Sequence, residues 1–330
     1  MDSANAVPKV VVYRGQEVRF AEAGPEADAD VLAFLQALFE RPEYDEAWWR
    51  HIRYASPAGR RDYYVARVVK TGEVVGVYGL APVRLKLGAA VGEASECCNV
   101  GALPGRPGLF QDLSQYALAC DAAKGRWLAF CSPRRPMAIR AHRAVGWQTL
   151  TALAFYVKPA QAEAAPPASY CEQVPAFPAD VDALLASCAG AFDWTVVKDH
   201  AYLNWRYQRP AYRRFLAYDQ DRQVRGLLVV KDYVEAATGL KRTHIMDLMA
   251  RDPGVQDILF RQAGQAALAS DELHTWAEKG SIQAEALAAH GFQENGASCP
   301  MLIYPYDAQT RDALERTERR YVALGDDEAF

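Results

Sequence analysis

The sequence predicts an α/β protein made of two related halves, each a mixed, mostly antiparallel sheet flanked by helices. The first indication is length: 330 residues exceed what one hydrophobic core usually supports, so two domains of about 150 residues are expected. The second is a block of sequence that occurs twice. The third is the order of helix-like and strand-like segments, which is similar on both sides of an alanine- and proline-rich stretch.

The repeated block is rich in aromatic and basic residues. EAWWRHIRYASPAGRR begins at Glu46 and aligns with DHAYLNWRYQRPAYRR, which begins at Asp199, an offset of 153 (199 minus 46). An Arg-Tyr pair occurs in both blocks, beginning at Arg53 and at Arg206. Two alternating, strand-like runs around a turn follow each block. These matches in one order indicate an internal duplication, and we interpret the Arg-Tyr pairs as anchors of each early helix on its own sheet.

A linker separates the two halves. From Lys158 to Pro178 the sequence is KPAQAEAAPPASYCEQVPAFP, in which alanine and proline dominate and periodic apolar spacing disappears. Proline lacks a backbone donor and restricts the residue before it. We therefore expect an extended linker at 159–178, between an N-terminal domain at 1–158 and a C-terminal domain at 179–330.

Apolar spacing predicts the order of elements in each half. That order is helix, helix, a strand hairpin, two further strands, helix, strand, helix and strand. DADVLAFLQALF, EAWWRHI, LFQDLSQYALACDAA and PMAIRAHRAVG have helical spacing, and WLAFCS is typical of a short buried strand. VVGVYGLAPVRLKL alternates as a half-exposed antiparallel strand should. Early hairpins and late helical crossovers predict a mixed sheet.

Composition disfavours several classes of protein. The formal net charge is −4, whereas a nucleic-acid binder needs a concentrated basic face. No apolar run approaches the ~20 residues of a membrane helix, and the N-terminal residues lack the pattern of a signal peptide. The seven cysteines include no CxxC pair with metal spacing. We therefore expect a cytoplasmic protein with reduced cysteines, no metal and no membrane partner.

One segment of the first half, ECCNVGALPGRPGLFQDLSQYALA, resembles the coenzyme A site of the GCN5-related N-acetyltransferase (GNAT) superfamily. In that family a fourth strand leads through a tight loop into a long helix. The loop amides and the positive end of the helix dipole receive the pyrophosphate of coenzyme A. The resemblance makes Glu96–Val100 the fourth strand and 105–110 the turn. It implies these coenzyme-binding residues: Val100, Ala102, Gly105, Arg106, Gly108, Leu109 and Phe110.

The two halves depart from the family pattern to different degrees. The pattern is Arg or Gln, two residues, Gly, one residue, then Gly or Ala. Here Gly105 stands in the place of the Arg, and Arg106 follows one place later. In the second half Asp252-Pro253-Gly254 occupies the equivalent loop, where a carboxylate caps a helix but repels a diphosphate. The resemblance therefore places the coenzyme in the first half and makes the second a degenerate domain that shapes the substrate cleft.

The resemblance also implies catalytic residues. Glu96, near the fourth strand, is in the position of the base that deprotonates the acceptor amine. His142 lies four residues before Gly146, where relatives often carry a tyrosine that protonates the departing sulfur. The second half has Leu287 at that place. A solvent-facing strand residue and an exposed helix histidine remain the alternative interpretations of Glu96 and His142.

Two cysteines, Cys97 and Cys98, lie on the proposed fourth strand and face opposite ways. A thiol there could form a covalent acyl intermediate. No histidine or basic residue is close in sequence to activate it, so core packing is the favoured interpretation.

The function implied by the resemblance is transfer of an acyl group, most simply acetyl, from acetyl-CoA or another acyl-CoA to an amine of a small metabolite. Amino sugars, amino acids and biosynthetic intermediates are all possible acceptors, and a homodimer is a possible assembly. One alternative is a Fem-like aminoacyl-tRNA-dependent transferase, which needs a basic channel that the acidic balance disfavours. A third reading is a catalytically inactive ligand-binding or scaffold protein.

Overall fold

The structure, a computed structural model, describes residues 8–41, 43–161, 170–236 and 238–327. It confirms the predicted fold class: a mixed, mostly antiparallel sheet flanked by helices. Two compact units interleave along the chain. The first comprises Met1–Arg84, Gly92–Leu150 and Pro300–Glu315. The second comprises Leu85–Val91, Thr151–Cys299 and Arg316–Phe330.

The first half of the chain begins with a strand hairpin and continues through helices and strands in alternation. The elements are β1 Lys9–Tyr13, β2 Gln16–Glu22, α1 Asp28–Phe39, α2 Glu46–Tyr54, β3 Asp62–Val68, β4 Val74–Leu87, β5 Ala90–Ala102, α3 Leu109–Ala123, β6 Leu128–Cys131, α4 Pro136–Ala144 and β7 Gln148–Pro159. The two predicted segments DADVLAFLQALF and LFQDLSQYALACDAA coincide with α1 and α3.

The second half repeats the order of two helices, three strands, helix, strand, helix and strand, with a short strand between its first two helices. The elements are β8 Cys171–Val174, α5 Val181–Ala189, β9 Trp194–Val196, α6 His200–Arg206, β10 Tyr212–Tyr218, β11 Val224–Val234, β12 Lys241–Ala250, α7 Pro253–Ala266, β13 Glu272–Glu278, α8 Ile282–Ala289, β14 Gln293–Pro305, α9 Ala308–Glu315 and β15 Arg320–Tyr321. The repeated order agrees with the duplication inferred from the sequence.

Three local predictions need correction. The hairpin β1–β2 was not predicted, because its short run of alternating residues precedes the repeated block. One strand, rather than two, separates the β3–β4 hairpin from α3, because VVGVYGLAPVRLKL continues as a single strand. That strand is also buried on both faces from Val75 to Val83, so it is not the half-exposed strand that alternation suggested.

The stretch predicted as a linker contains regular structure. Residues 162–169 lie outside the described residues, but Cys171–Val174 forms the edge strand β8 and pairs antiparallel with β10. Cys171 is buried in the hydrophobic core of the second unit. This apolar contact explains why a strand forms although the surrounding sequence is rich in proline. Before it, β7 continues to Pro159 through pairing with β13.

The units differ from the predicted ranges 1–158 and 179–330 because late segments of the sequence complete early sheets. In the first unit, the end of β14 pairs antiparallel with β6, with Leu302 opposite Cys131. In the second unit, β7 pairs with β13, with Leu153 opposite Glu278. Each sheet is therefore completed by a strand segment from outside its own half of the sequence.

Among the described residues, the main run of strands in each unit is antiparallel except for one parallel pair, and the short strands β9 and β15 form a further parallel pair in the second unit. In the first unit the order is β1-β2-β3-β4-β5-β6-β14, and β5 and β6 are parallel. In the second the order is β7-β13-β12-β11-β10-β8, and β12 and β13 are parallel. A helical crossover, α3 or α7, connects the two strands of each parallel pair in these main runs, as parallel pairing requires.

The Arg-Tyr pairs of the repeated block contact loops as well as sheets. Arg53 is fully buried, and its guanidinium binds the Asp28 carboxylate at 2.8 Å and the Ala23 carbonyl at 2.6 Å. Arg206 donates to the carbonyls of Gly325 and Asp327 at 2.8 and 2.9 Å. Both pairs also contact their own sheets: Arg53 lies 5.5 Å from the ring centroid of Tyr63 on β3, and the Tyr207 hydroxyl donates to Asp247 on β12 at 3.1 Å. The pairs therefore anchor the early helices to sheet residues, as interpreted, and to neighbouring irregular segments as well.

Candidate active site

The first unit opens where β5 separates from β6. The parallel register comprises Ser95↔Ala129 and Glu96↔Phe130, whereas β5 continues to Ala102. Before this point the strand is fastened by a buried cluster in which the Ser95 hydroxyl binds Asp121 at 3.0 Å. The register with β6 therefore ends at Glu96, and β6 itself ends one residue later, at Cys131, whereas β5 continues. We call the side of β5 that β6 no longer covers the strand gap.

A backbone irregularity follows within β5. Asn99 has a φ of 51°, a left-handed conformation that few non-glycine residues adopt. Its side-chain oxygen accepts hydrogen bonds from the Tyr63 hydroxyl at 2.9 Å and from Arg61 at 3.3 Å. These two donors hold the irregularity in place, and they do so in the part of the strand that has left β6.

The N-terminus of α3 lacks a side-chain cap and is open. Gly108 is the N-cap residue with a φ of 85°, and no side chain of the described residues caps the helix there. A Cβ added at Gly105 or Gly108 would meet no heavy atom within 4 Å. The first amides of a helix have no intrahelical acceptor, so this end is a ready position for an anion. Arg106 lies beside it and donates to the Gln16 side chain at 3.1 Å.

The remaining residues predicted to bind the coenzyme differ in how far they are buried. Leu109 is fully buried, and its amide donates to the Arg106 carbonyl at 3.1 Å, so neither its side chain nor its amide faces a ligand. Val100, Ala102 and Phe110 are half-buried and pack against the core of the first unit. Phe110 also lies edge-on to His142, with ring centroids 5.5 Å apart.

The predicted acid, His142, is buried and paired with a cysteine. Its side chain is held by Trp147, edge-on at a centroid distance of 5.0 Å, and Nδ1 lies 2.8 Å from the Ala138 carbonyl. Because that carbonyl can only accept, Nδ1 donates, and Nε2 is directed at the Cys97 sulfur at 3.7 Å. The alternative interpretation of His142 as an exposed helix residue is therefore wrong.

The two groups favour each other's charged form. Burial raises the pKa of the Cys97 thiol, but hydrogen bonds from Cys131 and His142, together with the imidazole's charge, outweigh burial and lower that pKa below its ordinary value. Burial lowers the pKa of His142, but the hydrogen bond and charge of Cys97 and the Ala138 carbonyl raise it overall. Both shifts favour the charged forms, a thiolate and an imidazolium, over the neutral pair.

The Cys97 interaction was missed from the sequence because 45 residues separate it from His142. Only the fold brings the end of β6 and α4 to the same point of β5. Cys131, the last residue of β6, joins the pair, and the sulfur and nitrogen atoms of Cys97, Cys131 and His142 all lie within 4.8 Å of one another. Two thiols and an imidazole are also ligands that a soft metal ion accepts, although no metal spacing is visible in the sequence.

Glu96, the predicted base, lies next to this pair in sequence but on the other side of the strand. Successive side chains of a strand point to opposite faces, so Glu96 and Cys97 diverge. Glu96 is half-buried and belongs to the last residue pair that joins β5 to β6. The structure thus places Glu96 next to Cys97 in the strand but directs its carboxylate away from the His142 side.

The corresponding features of the second unit differ. The N-cap residue of α7 is Asp252, whose carboxylate accepts a hydrogen bond from the Val255 amide at 3.0 Å. Leu287, at the place of His142, is buried in the apolar core. The N-terminus of α7 therefore already holds an anion, and α8 offers no titratable group at the equivalent position.

The gap between β12 and β13 is small, and its charged side chains form ion pairs within the fold. A cavity of about 70 Å³ lies there, well below the ~300 Å³ of the smallest usual ligand pockets. Its charged lining residues among the described ones are paired: Arg320 binds Glu278 at 2.8 Å, and Asp247 binds Lys198 at 2.6 Å. The Tyr321 hydroxyl also donates to Asp247 at 2.7 Å.

Several solved structures share the fold of this chain over most of its length. A GCN5-related N-acetyltransferase from Anabaena variabilis has a TM-score of 0.70 at 13% identity, and the match covers 89% of this chain and 74% of that one. The chain has the GNAT fold. A second GCN5-related N-acetyltransferase, from Kribbella flavida, has a TM-score of 0.65 at 14% identity, covering 89% and 72% of the two chains.

A third structure with the GNAT fold is the N-myristoyltransferase of Saccharomyces cerevisiae with bound myristoyl-CoA. It has a TM-score of 0.61 at 11% identity, and the match covers 91% of this chain and 85% of that one. No protein-family model matches the sequence, and no curated protein matches it. Among the described residues, no helix combines the length and apolar character needed to cross a membrane.

Proposed function

We propose that this protein is an N-acyltransferase that moves an acyl group, most simply acetyl, from acyl-CoA to an amine of a small metabolite. The observation that carries the proposal is the conjunction of an uncapped helix N-terminus at Gly108 with a buried Cys97–His142 pair at the point where β5 continues beyond its register with β6. The fold shared with N-acyltransferases supports acyl transfer in general.

The coenzyme's diphosphate would bind at the open end of α3. Backbone amides and the helix dipole stabilise an anion there, and Gly105 and Gly108 leave space for close approach. Arg106 adds a positive charge beside the turn. In the second unit the Asp252 carboxylate occupies the equivalent position, so we place the coenzyme in the first unit alone.

The chemistry of acyl transfer needs three operations that residues of the first unit can perform. Glu96 accepts the proton that makes the acceptor amine neutral. Backbone amides of the unpaired part of β5 are donors for the oxyanion of the tetrahedral intermediate. His142, whose raised pKa favours the protonated form, donates a proton to the departing sulfur.

Calorimetric titration of the full chain tests the proposal. Acetyl-CoA, coenzyme A and bulk tRNA are titrated separately at two salt concentrations. We expect saturable binding of one coenzyme per chain and no binding of tRNA. Salt-sensitive tRNA binding without coenzyme binding would instead favour the aminoacyl-tRNA-dependent transferase, and binding of neither would favour a non-catalytic protein.

A further inference from the structure

We propose that Cys97 carries the acyl group as a thioester, so that transfer from coenzyme A to the amine proceeds in two steps through an acyl-cysteine. This inference rests on the proposed function and deepens it by assigning a nucleophile to the same site. Direct transfer from coenzyme A to the amine needs no thiol, so the two routes make different predictions.

The geometry is that of an activated nucleophile with an oriented base. The Cys97 sulfur and the His142 Nε2 are 3.7 Å apart, and the Ala138 carbonyl at 2.8 Å from Nδ1 fixes the ring orientation. A nucleophile, a base within reach and a third group that orients the base are the recurring parts of covalent catalysis. Here the three parts come from β5 and from two residues one turn apart on α4.

The position of Cys97 in the fold is suited to a reaction in the strand gap. It is the first residue of β5 after the register with β6 ends at Glu96. Its side chain is buried at the point where β6 ends and β5 continues. Cys131 lies at the end of β6 on the other side of the gap, and its thiol donates to the Cys97 thiolate.

The pKa of Cys97 shifts in the opposite direction from those of three other cysteines of the chain. Burial raises the pKa of Cys120 and of Cys188 to about 11, and that of Cys171 to about 12, so these thiols stay protonated. Cys97 is also buried, but its hydrogen bonds and the charge of His142 lower its pKa. A nucleophilic cysteine needs a base within reach, and the His142 Nε2 lies 3.7 Å from the Cys97 sulfur, so we assign the reactive sulfur among these four to Cys97.

The first step forms the acyl-enzyme. The Cys97 thiolate attacks the carbonyl carbon of the thioester, the bond from that carbon to the coenzyme's sulfur breaks, and the coenzyme leaves as a thiolate. His142 gives it the proton from Nε2, so free coenzyme A departs as a thiol. The enzyme then holds an acyl-cysteine and a neutral imidazole.

The second step regenerates the enzyme. A neutral amine attacks the acyl carbon, a carbon–nitrogen bond forms, and the carbon–sulfur bond to Cys97 breaks with the electron pair returning to sulfur. The neutral His142 takes the proton that the nitrogen loses. The thiolate–imidazolium pair is restored, and no oxidant or metal is consumed.

The test is intact-mass spectrometry of the reduced full chain after incubation with acetyl-CoA and no amine. We expect one added acetyl group per chain, removable by neutral hydroxylamine as thioesters are, and release of one equivalent of coenzyme A. Peptide mapping should place the group on Cys97. Cys97→Ala should show no thioester adduct and lower turnover by roughly 10³-fold or more.

Cys98→Ala is the matched control, because Cys98 is the next residue of the same strand and points to the opposite face. It should keep both the adduct and the turnover, and circular dichroism establishes that both variants fold. Cys97→Ser, which keeps the volume of the side chain, guards against a packing defect in the alanine variant and should also form no thioester.

Each contrary outcome identifies what has failed. Binding of acetyl-CoA without an adduct, together with normal turnover of folded Cys97→Ala, would overturn the acyl-cysteine and leave direct transfer. Absence of acetyl-CoA binding to the wild type would overturn the proposed function and this inference with it. Stoichiometric zinc in the purified chain, lost in Cys131→Ser, would mean that the cluster is a metal site and would also overturn the inference.

Discussion

The helices α3 and α7 occupy the same place in the two units and begin in different ways. Each follows a strand that separates from its parallel partner. At α3 the N-cap residue is Gly108, which leaves the first amides without a side-chain cap. At α7 the N-cap residue is Asp252, which accepts from one of those amides. The same helix N-terminus can thus be left open to an external anion, as in α3, or be capped by a carboxylate of the chain itself, as in α7.

The strand gaps of the two units differ in a similar way: the polar groups of the second are paired within the fold, and those of the first are suited to a reaction. In the first, the Cys97 sulfur and the His142 Nε2 lie 3.7 Å apart near the end of the parallel register. In the second, Asp247 binds Lys198 and Tyr321, and Leu287 replaces the imidazole. The charged groups of the second gap are paired within the fold, whereas Cys97 and His142 of the first form a pair suited to proton and acyl transfer.

A large effect is expected from replacing His142, the proposed acid of the first unit. His142→Gln should lower the rate of coenzyme A release from acetyl-CoA ~10²–10⁴-fold, because the departing thiolate loses its proton donor. An aryl thioester, whose thiol is more acidic, should show a smaller decrease. Stopped-flow detection of free thiol measures both rates. Equal decreases with the two donors would contradict the assignment of His142 as the acid.

Replacement of the predicted base should affect only steps that involve the amine. Glu96→Gln should lower turnover with an amine acceptor ~10²–10⁴-fold while coenzyme affinity stays unchanged. Raising the pH should recover part of the loss, because the amine then loses its proton to water. Turnover is followed with a panel of amino sugars and amino acids. A weaker coenzyme affinity with unchanged turnover would exclude the base role.

The pH dependence of the reactive pair has a defined sign. Below the lowered pKa of Cys97 the sulfur is protonated, and above the raised pKa of His142 the imidazole is neutral, so coenzyme A release should fall on both sides. In His142→Gln the hydrogen bond and charge that lower the Cys97 pKa are lost while burial still raises it. Alkylation of Cys97, mapped by mass spectrometry, should then require higher pH. An unchanged alkylation profile would contradict the pairing.

The smallest effect is expected in the second unit. Asp252→Ala removes the α7 cap and should reduce the free energy of unfolding by about 1 kcal/mol. Urea unfolding measures this change. Coenzyme affinity should be the same as in the wild type. A large loss of affinity would place the coenzyme at α7 in the second unit instead of at α3 in the first.

Local patterns predicted most of the fold, and long-range contacts explain what they missed. The bounds of α1 and α3 and the Asp252 cap follow from apolar spacing and cap chemistry within a few residues. The strand β8 depends on pairing with β10, which lies about 40 residues later, so its proline-rich surroundings suggested a linker instead.

Sequence reasoning selected candidate site residues only where a short local pattern identifies a single residue. His142 was found from its distance to Gly146, and Gly108 from the turn before α3. The Cys97 pair was not found, because its members are 45 residues apart and meet only when β5 and α4 are packed. Leu109 shows the converse: the turn pattern includes it, but the structure buries it fully.

The most direct test of the central claim is the coenzyme affinity of Gly108→Asp, which gives α3 the carboxylate that α7 already has. Gly125→Asp is its matched control, because Gly125 follows the other end of α3 with a φ of 81° and equally open surroundings. Calorimetry should show acetyl-CoA affinity about 10–100-fold weaker in Gly108→Asp, since repulsion and the lost helix-terminus interaction each contribute on the order of 1 kcal/mol. Gly125→Asp should bind as the wild type does. Equal affinity in all three proteins would contradict a coenzyme site at the open end of α3.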